Sequence, residues 1–175
     1  KEYSEKLDRL NKQMSEFEHF VDKSVLISKA DANGKITYVN RKFSDVSGWE
    51  LHEAIGKDHH IVNSGFHPEE FWSEMYWVTI KEKKIWNKIV TNKSKNGELY
   101  WVDSYIKADF DDDGNLKGFT SIRYDVSNIV KSGQEIEKKN TYLEHAAKIL
   151  RHDMHSGINT YMPRAVSYTH LRAHE

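Results

Sequence analysis

The chain has 175 residues, a formal net charge of −1 and no cysteine. The missing thiols exclude disulfides, thiolate metal sites, iron–sulfur clusters and a cysteinyl adduct with a cofactor. The near-neutral charge excludes the basic field that recruits nucleic acid, so no nucleic-acid partner is expected. Charged residues make up 30% of the chain, which indicates one core-bearing domain flanked by solvated helices rather than one compact globule.

The hydropathy pattern gives an expectation for the cellular location of the protein. No apolar run approaches the roughly 20 residues that cross a bilayer, and no signal peptide is evident. A cytoplasmic location is therefore expected. The first residue is Lys1 rather than an initiator methionine, so we expect a fragment of a longer protein whose upstream part can carry a membrane anchor.

Residues 1–21 are predicted to form an N-terminal helix. Its apolar side chains recur every three or four residues, a spacing typical of a coiled-coil seam. The same spacing also fits an amphipathic helix that lies on its own domain, and both interpretations stay open. The side chains that form this seam are Leu7, Leu10, Met14, Phe17 and Val21.

The first half of residues 22–127 reads as short elements. Asn33 and Gly34 favour a tight turn that joins two strands into a hairpin. Pro68 followed by two glutamates is typical of a helix start. The predicted elements are strands at 25–30 and 36–39, short helices at 42–46 and 49–55, a loop at 57–68 and a helix from 68 to about 81.

The second half of this segment predicts three strands, at 85–93, 99–108 and 117–124, in which inward and outward residues alternate. Two strands, several short helices and three more strands indicate an α+β fold. The expected architecture is a five-stranded antiparallel sheet with short helices on one face. The acidic run 111–113 lacks the acid that a calcium loop needs at its twelfth position, so a solvated turn is predicted there.

Several short motifs occur in the order typical of one family. They resemble those of a PAS domain over residues 22–127, in particular the sensors of the aerotaxis-receptor and nitrogen-fixation-regulator type, which hold FAD. The resemblance implies a half-open ligand pocket between the sheet and its helices. The motifs are residues 34–40 (GKITYVN), 43–48 (FSDVSG), 95–101 (KNGELYW), 118–123 (GFTSIR) and 125–127 (DVS).

The resemblance also implies which residues contact FAD. Trp86 lies at the start of the first strand after the long helix, Asn40 ends the second strand, and Asn63 lies in the predicted loop 57–68, which could line the outer part of the cofactor. Trp and Asn can supply the ring stacking and amide-like hydrogen bonds that the flavin ring needs.

Other outcomes for the pocket stay open. Aerotaxis receptors carry an Arg-His-Pro run where this chain has residues 63–68 (NSGFHP). The alternatives to FAD are no tight cofactor, another small ligand, or haem. The candidate haem ligands are the loop histidines His59, His60 and His67.

Residues 128–164 predict a second helix with a coiled-coil repeat. Ile136, Leu143 and Leu150 recur every seven residues, and Asn140 occupies a polar slot that fixes register in coiled coils. A parallel homodimer through both terminal helices is therefore expected. Pro163 is expected to interrupt this helix.

Residues 150–159 (LRHDMHSGIN) resemble the start of the dimerisation and phosphotransfer helix of a sensor histidine kinase. The resemblance implies that His152 accepts phosphate, that Asp153 assists, and that Ser156 lies where a phosphatase water could be placed. His155 is the alternative acceptor. A plain polar helix face, or a metal site built from these histidines and Asp153, are the competing interpretations.

The chain carries no glycine-rich phosphate loop. ATP is therefore expected only through a histidine-kinase ATP-binding domain outside this chain, with a response regulator as the next partner. The predicted function is the sensory input module of a two-component kinase, inactive alone. The alternative is a non-catalytic PAS module that dimerises and regulates a partner protein. Residues 165–175 resemble a translated sequencing adapter and are predicted to be an artefactual tail.

Overall fold

The computed structural model describes the backbone of residues 2–167 and the side chains of residues 3–152 and Met154. The chain divides into two units: the residues up to Asn128 form the first, and the helix from Ile129 onward forms the second. Each of the two units is compact by itself.

The first unit is built on one antiparallel sheet of five strands in the order β2-β1-β5-β4-β3. This arrangement confirms the predicted α+β class. The first and last strands, β1 and β5, pair with each other in the middle of the sheet, where Ser28 lies opposite Ser121. The strands are β1 (Leu26–Asp31), β2 (Ile36–Val39), β3 (Trp86–Lys93), β4 (Leu99–Phe110) and β5 (Leu116–Asp125).

Helical segments connect β2 to β3 and lie over one face of the sheet. The predicted loop at 57–68 contains a 3₁₀ turn, because the Asp58 carboxylate accepts a hydrogen bond from the His60 N–H and caps it. The predicted helix after Pro68 changes to π-helical geometry at Trp77. The connecting segments are α2 (Arg41–Ser47), α3 (Leu51–Ala54), the 3₁₀ turn His59–Val62, α4 (Glu69–Tyr76) and the π-helical turn Trp77–Lys81, whereas α1 (Glu2–Ser24) precedes β1.

The core lies between the sheet and these helices, as the alternation in β3 and β4 predicts. Trp86 and Val90 of β3 are buried, and so are Val102 and Ser104 of β4, whereas the intervening Ile89 is half exposed. Fully burying one large apolar side chain contributes about 1.5–3 kcal/mol. One face of the sheet therefore holds the domain together, and the other face is open to solvent.

The apolar seam of α1 is exposed in the single chain. Leu7, Leu10, Met14 and Phe17 each expose more than half of their surface. These four seam residues therefore do not pack on the domain, which disfavours the amphipathic-helix interpretation for them, whereas the fifth, Val21, is half-buried. The end of α1 is attached through Asp22, whose Oδ1 accepts a hydrogen bond from the Arg41 N–H.

The second unit is the body of α5, a helix that spans Ser127–Ser167. Its repeat residues Ile136, Leu143 and Leu150 are more than half exposed. The expected interruption at Pro163 is wrong, because the helix continues past it. A proline removes one main-chain hydrogen bond and bends a helix, but neighbouring turns can hold it together. Residues 168–175, the larger part of the predicted tail, lie outside the described residues.

None of the helices among the described residues is long and apolar enough to cross a membrane.

Candidate ligand pocket

A cavity of about 570 Å³ lies between the sheet and the helical segments. Its volume is in the range of pockets that take a drug-sized molecule. Apolar side chains make up much of the wall, and polar side chains line it both on the strands and on the helical side. The lining residues are Ser28, Ala30, Gly34, His59, His60, Val62, Asn63, Glu69, Trp72, Ser73, Met75, Tyr76, Val90, Asn92, Ile106, Phe119, Ser121 and Arg123.

A hydrogen-bonded network occupies the sheet side of the cavity. Arg123 is only 7% exposed, and its Nη1 donates to Ser28 Oγ at 2.8 Å. The same Ser28 hydroxyl lies 3.0 Å from His59 Nε2, and Arg123 Nη2 lies 3.4 Å from that nitrogen. Three residues far apart in sequence therefore meet at one place in the wall.

The network fixes the protonation of His59. A guanidinium can only donate, so His59 Nε2 has to accept, and the ring proton is assigned to Nδ1. Desolvation, together with the nearby Arg123 charge, lowers the pKa of His59 to about 3. Burial also lowers the pKa of Arg123 to about 10, which leaves it charged at neutral pH. The wall therefore carries one cation and a neutral imidazole.

This assignment predicts acid sensitivity. The stability that neutral His59 contributes is fully present above its unfolded pKa of about 6.5 and is lost as the pH falls towards about 3, because the unfolded state then binds the extra proton. Urea unfolding should show a loss of up to about 1.4 kcal/mol per pH unit between pH 6 and 4.5. His59→Gln should flatten that slope. An equally steep slope in His59→Gln would contradict the assignment.

Two polar atoms in the cavity wall have no hydrogen-bond partner within the described part of the chain. They are Trp72 Nε1 and the Oγ of Ser121, a residue that is 5% exposed. A buried donor or acceptor left without a partner costs about 1–3 kcal/mol. Both atoms belong to cavity-lining residues, so a bound ligand is a natural partner for them.

The three residues predicted to contact FAD lie at different positions relative to the cavity. Asn63 lines the cavity, and its Oδ1 accepts a hydrogen bond from the Gly65 N–H at 2.9 Å. Trp86 is buried behind the wall, with its ring 6.5 Å from that of Trp72, and does not line the cavity. It can support the Trp72 ring that does line it.

Asn40 lies away from the cavity and caps α2. Its Oδ1 accepts from the N–H groups of Ile27 and Phe43, and its Nδ2 donates to the Val25 carbonyl at 2.8 Å. The amide is thus used by the backbone around the start of α2. Contact between Asn40 and a cofactor stays a prediction, one that would require these bonds to be exchanged.

Two of the loop histidines proposed as haem ligands already use their Nε2 atoms. His67 Nε2 accepts from the Thr91 N–H at 2.8 Å, and the ring stacks on Phe71. His59 Nε2 accepts from the Arg123 network. Iron would have to displace these bonds. Within residues 3–152, no group of three metal-binding side chains is found.

Sequence reasoning did not identify Arg123, Ser28 or Ser121 as site residues. One signal was present, because the alternation of β5 places Arg123 on the same side as Phe119 and Ser121, which face inward. A charged residue at an inward position is rarely buried without a partner or a function. The register that brings Ser28 opposite Ser121 was not readable from the sequence.

The end of β5 is hydrogen-bonded to the start of α5. Asp125 Oδ1 accepts from the Ser127 N–H at 3.0 Å and from its hydroxyl. Ser127 Oγ in turn accepts from the Trp101 N–H at 3.0 Å, and the Val126 N–H donates to the Trp101 carbonyl at 2.9 Å. Ser127, the first residue of α5, is thereby fixed to β4 as well as to the end of β5.

The predicted phosphotransfer residues lie on α5. The His152 side chain is exposed. The side chains of Asp153, Ser156 and the alternative acceptor His155 lie outside the described residues.

Comparison with known proteins agrees with this architecture. Residues 36–123 match the model of the family described as the PAS fold. The match covers half of the chain, so the chain belongs to the PAS fold family. The curated relatives include the aerotaxis receptor of Escherichia coli, which is 35% identical over 102 residues, or 58% of this chain and 20% of the receptor.

Two further matches define the extent of the similarity. The nitrogen fixation regulatory protein of Klebsiella pneumoniae is 29% identical over 121 residues, which is 69% of this chain and 24% of that protein. A crystal structure of a PAS domain from Colwellia psychrerythraea superposes with a TM-score of 0.59 at 19% identity, over 68% of this chain and 98% of the other. The chain thus spans between a fifth and a quarter of these curated relatives.

Proposed function

We propose that this chain is the sensory input module of a two-component histidine kinase, working in the cytoplasm. One observation carries the proposal: the strand that lines the cavity leads directly into the output helix. Ser121 and Arg123 of β5 line the cavity, and Asp125, two residues on, caps the first turn of α5. A change in the cavity therefore has a short covalent and hydrogen-bonded route to the helix.

The route works through hydrogen bonds at the sheet. A ligand that engages Arg123 or Ser121 favours one position of β5 over another, by as much as its affinity for the two states differs. Asp125 and Ser127 pass that displacement to the start of α5. A coiled coil with two packings a few kcal/mol apart is a two-state element that such a bias can switch.

The proposed output is phosphorylation of His152. In a parallel homodimer, the seam formed by Ile136, Leu143 and Leu150 buries surface that is exposed in the single chain. Asp153 would orient the imidazole, and Ser156 would lie one turn further. ATP comes from the kinase's separate ATP-binding domain, and a response regulator takes the phosphate. The module alone is not a kinase.

The pocket residues fit a flavin ring as the cofactor. The ring needs flat apolar contacts and an edge of amide-like hydrogen bonds. Trp72 supplies the contact and an unpartnered N–H, while Asn63 and Asn92 supply amides in the wall. FAD, when bound, provides a redox-dependent charge on its ring. The chain's own part is to hold that ring, to exclude water from it and to report its charge through β5.

The cofactor proposal predicts a visible spectrum. Freshly purified residues 1–164 should show flavin absorption that bleaches on anaerobic reduction. Asn63→Ala and Trp86→Phe should lower flavin occupancy, because the first removes a wall amide and the second removes support for Trp72. Tyr38→Phe, a half-exposed residue outside the cavity, is the matched control. A featureless visible region would exclude FAD and haem under those conditions and leave a colourless ligand.

A further inference from the structure

No carboxylate of the described residues forms an ion pair with Arg123. The hydrogen bonds of Arg123 go to Ser28 and His59, both neutral. Glu69 is the carboxylate that lines the cavity, and it is exposed on α4 rather than paired with Arg123. A buried cation in this state is costly unless something else neutralises it.

The surroundings of Arg123 are arranged as a partial anion site. Ser121 lies on the same strand two residues before it and keeps a buried hydroxyl without a partner. Arg123 has five N–H donors, and the two hydrogen bonds to Ser28 and His59 leave others available. A planar group with two acceptor oxygens or nitrogens could accept from the guanidinium and from the Ser121 hydroxyl together.

We propose that the ligand of this cavity presents a planar anionic group to Arg123, with Ser121 as the second donor. This inference rests on the proposed sensory function and specifies the ligand's chemistry. Two sources share that chemistry: the carboxylate of a small organic acid, and the reduced ring of a flavin. In the second case two electrons from the reductant and one proton from solvent leave the ring with one negative charge.

The charge of the ligand is then the property to which the pocket responds. An uncharged molecule leaves Arg123 without a counterion, whereas an anion pairs with it and favours a different position of β5. Arg123 is two residues before Asp125, the residue that caps α5. Ser28 and His59 hold the guanidinium from the other side and act as positioning residues. The residues that contact the anion are Arg123 and Ser121.

The test compares wild type with Arg123→Met, Arg123→Lys and Arg41→Met, the last being an exposed arginine on α2 that serves as control. Where the spectrum shows flavin, its midpoint potential should fall in Arg123→Met and recover towards wild type in Arg123→Lys, because only a cation stabilises the anionic ring. An unchanged potential in Arg123→Met would overturn the inference.

Where no flavin is present, the probes are sodium acetate, pyruvate, succinate and benzoate at constant ionic strength. At least one should raise the melting temperature of wild type saturably, with at least tenfold weaker binding in Arg123→Met and unchanged binding in Arg41→Met. No saturable shift with any acid, or equal shifts in Arg123→Met, would overturn the inference. If Arg123→Met does not fold, Ser121→Ala replaces it, with the same readout and a smaller expected loss. A negative result in the flavin test or in the acid test would concern only the ligand's charge. Control of His152 phosphorylation is tested separately, by measuring phosphate incorporation.

Discussion

Autophosphorylation of the proposed kinase that contains this chain should fall by a factor on the order of 1,000 or more when His152 is replaced by glutamine. Glutamine keeps a polar side chain of similar reach but has no nucleophilic imidazole nitrogen, and loss of the nucleophile removes the covalent step altogether. The residue is exposed on α5, as an acceptor for an incoming ATP-binding domain has to be. Incorporation of radiolabelled phosphate from ATP measures the effect.

His155→Gln is the matched control for this experiment. It places the same side chain three residues further on the same helix, and phosphorylation should stay within about twofold of wild type. Normal phosphorylation in His152→Gln, with loss in His155→Gln, would move the acceptor to His155. Normal phosphorylation in both would favour the alternative of a non-catalytic PAS module that acts by contact with a partner.

Gly118→Ala should destabilise the sensor domain by about 3 kcal/mol or more. A Cβ at this position would lie 2.1 Å from the carbonyl oxygen of Ala30, on the neighbouring central strand. Main chain cannot yield as a flexible side chain does, so β1 and β5 have to separate locally. Urea unfolding followed by circular dichroism measures the change. Because Ala30 and Phe119 line the cavity, ligand affinity should fall as well.

Gly133→Ala is the control for the glycine substitution. It lies within α5, and no atom approaches within 4 Å of the added Cβ. Alanine is about 1 kcal/mol more favourable than glycine in a helix interior, so stability should be unchanged or slightly increased. A destabilisation of Gly118→Ala no larger than that of Gly133→Ala would mean that β1 and β5 do not approach as closely as described.

The sheet was predictable because most residues of its strands alternate between the two faces. The alternation predicts one face of β3 with Trp86, Lys88, Val90 and Asn92, and one face of β4 with Tyr100, Val102, Ser104 and Ile106. All of them are buried except Lys88, which is half-buried, and Thr91 on the other face of β3 is buried as well. Period-two patterning encodes burial directly, because one face of this sheet is covered and the other is open.

The pocket was less predictable because it depends on contacts between distant residues. Ser28 and Arg123 are separated by 95 positions, and their hydrogen bond depends on the register of β1 against β5. Asn40 shows a different limit. An Asn at the end of β2 predicts a contact with the cofactor, but an Asn at that position can also accept a hydrogen bond from an N–H of the first turn of a helix. The structure gives Asn40 this second role at the start of α2. Pro163 shows that a helix-breaking residue need not end a long helix.

The proposed mechanism requires that the state of the cavity changes the packing of α5 in the dimer. Because the chain has no cysteine, Lys138→Cys introduces a single spin-label site at an exposed position of that helix. Double electron–electron resonance spectroscopy then measures the distance between the two spin labels of a dimer. The protein is compared before and after anaerobic reduction, or without and with the acid that binds in the thermal assay. The distance distribution should shift in wild type and stay fixed in Arg123→Met. A distance distribution in wild type that does not change, or the absence of any measurable distance between two labels, would contradict the proposed mechanism.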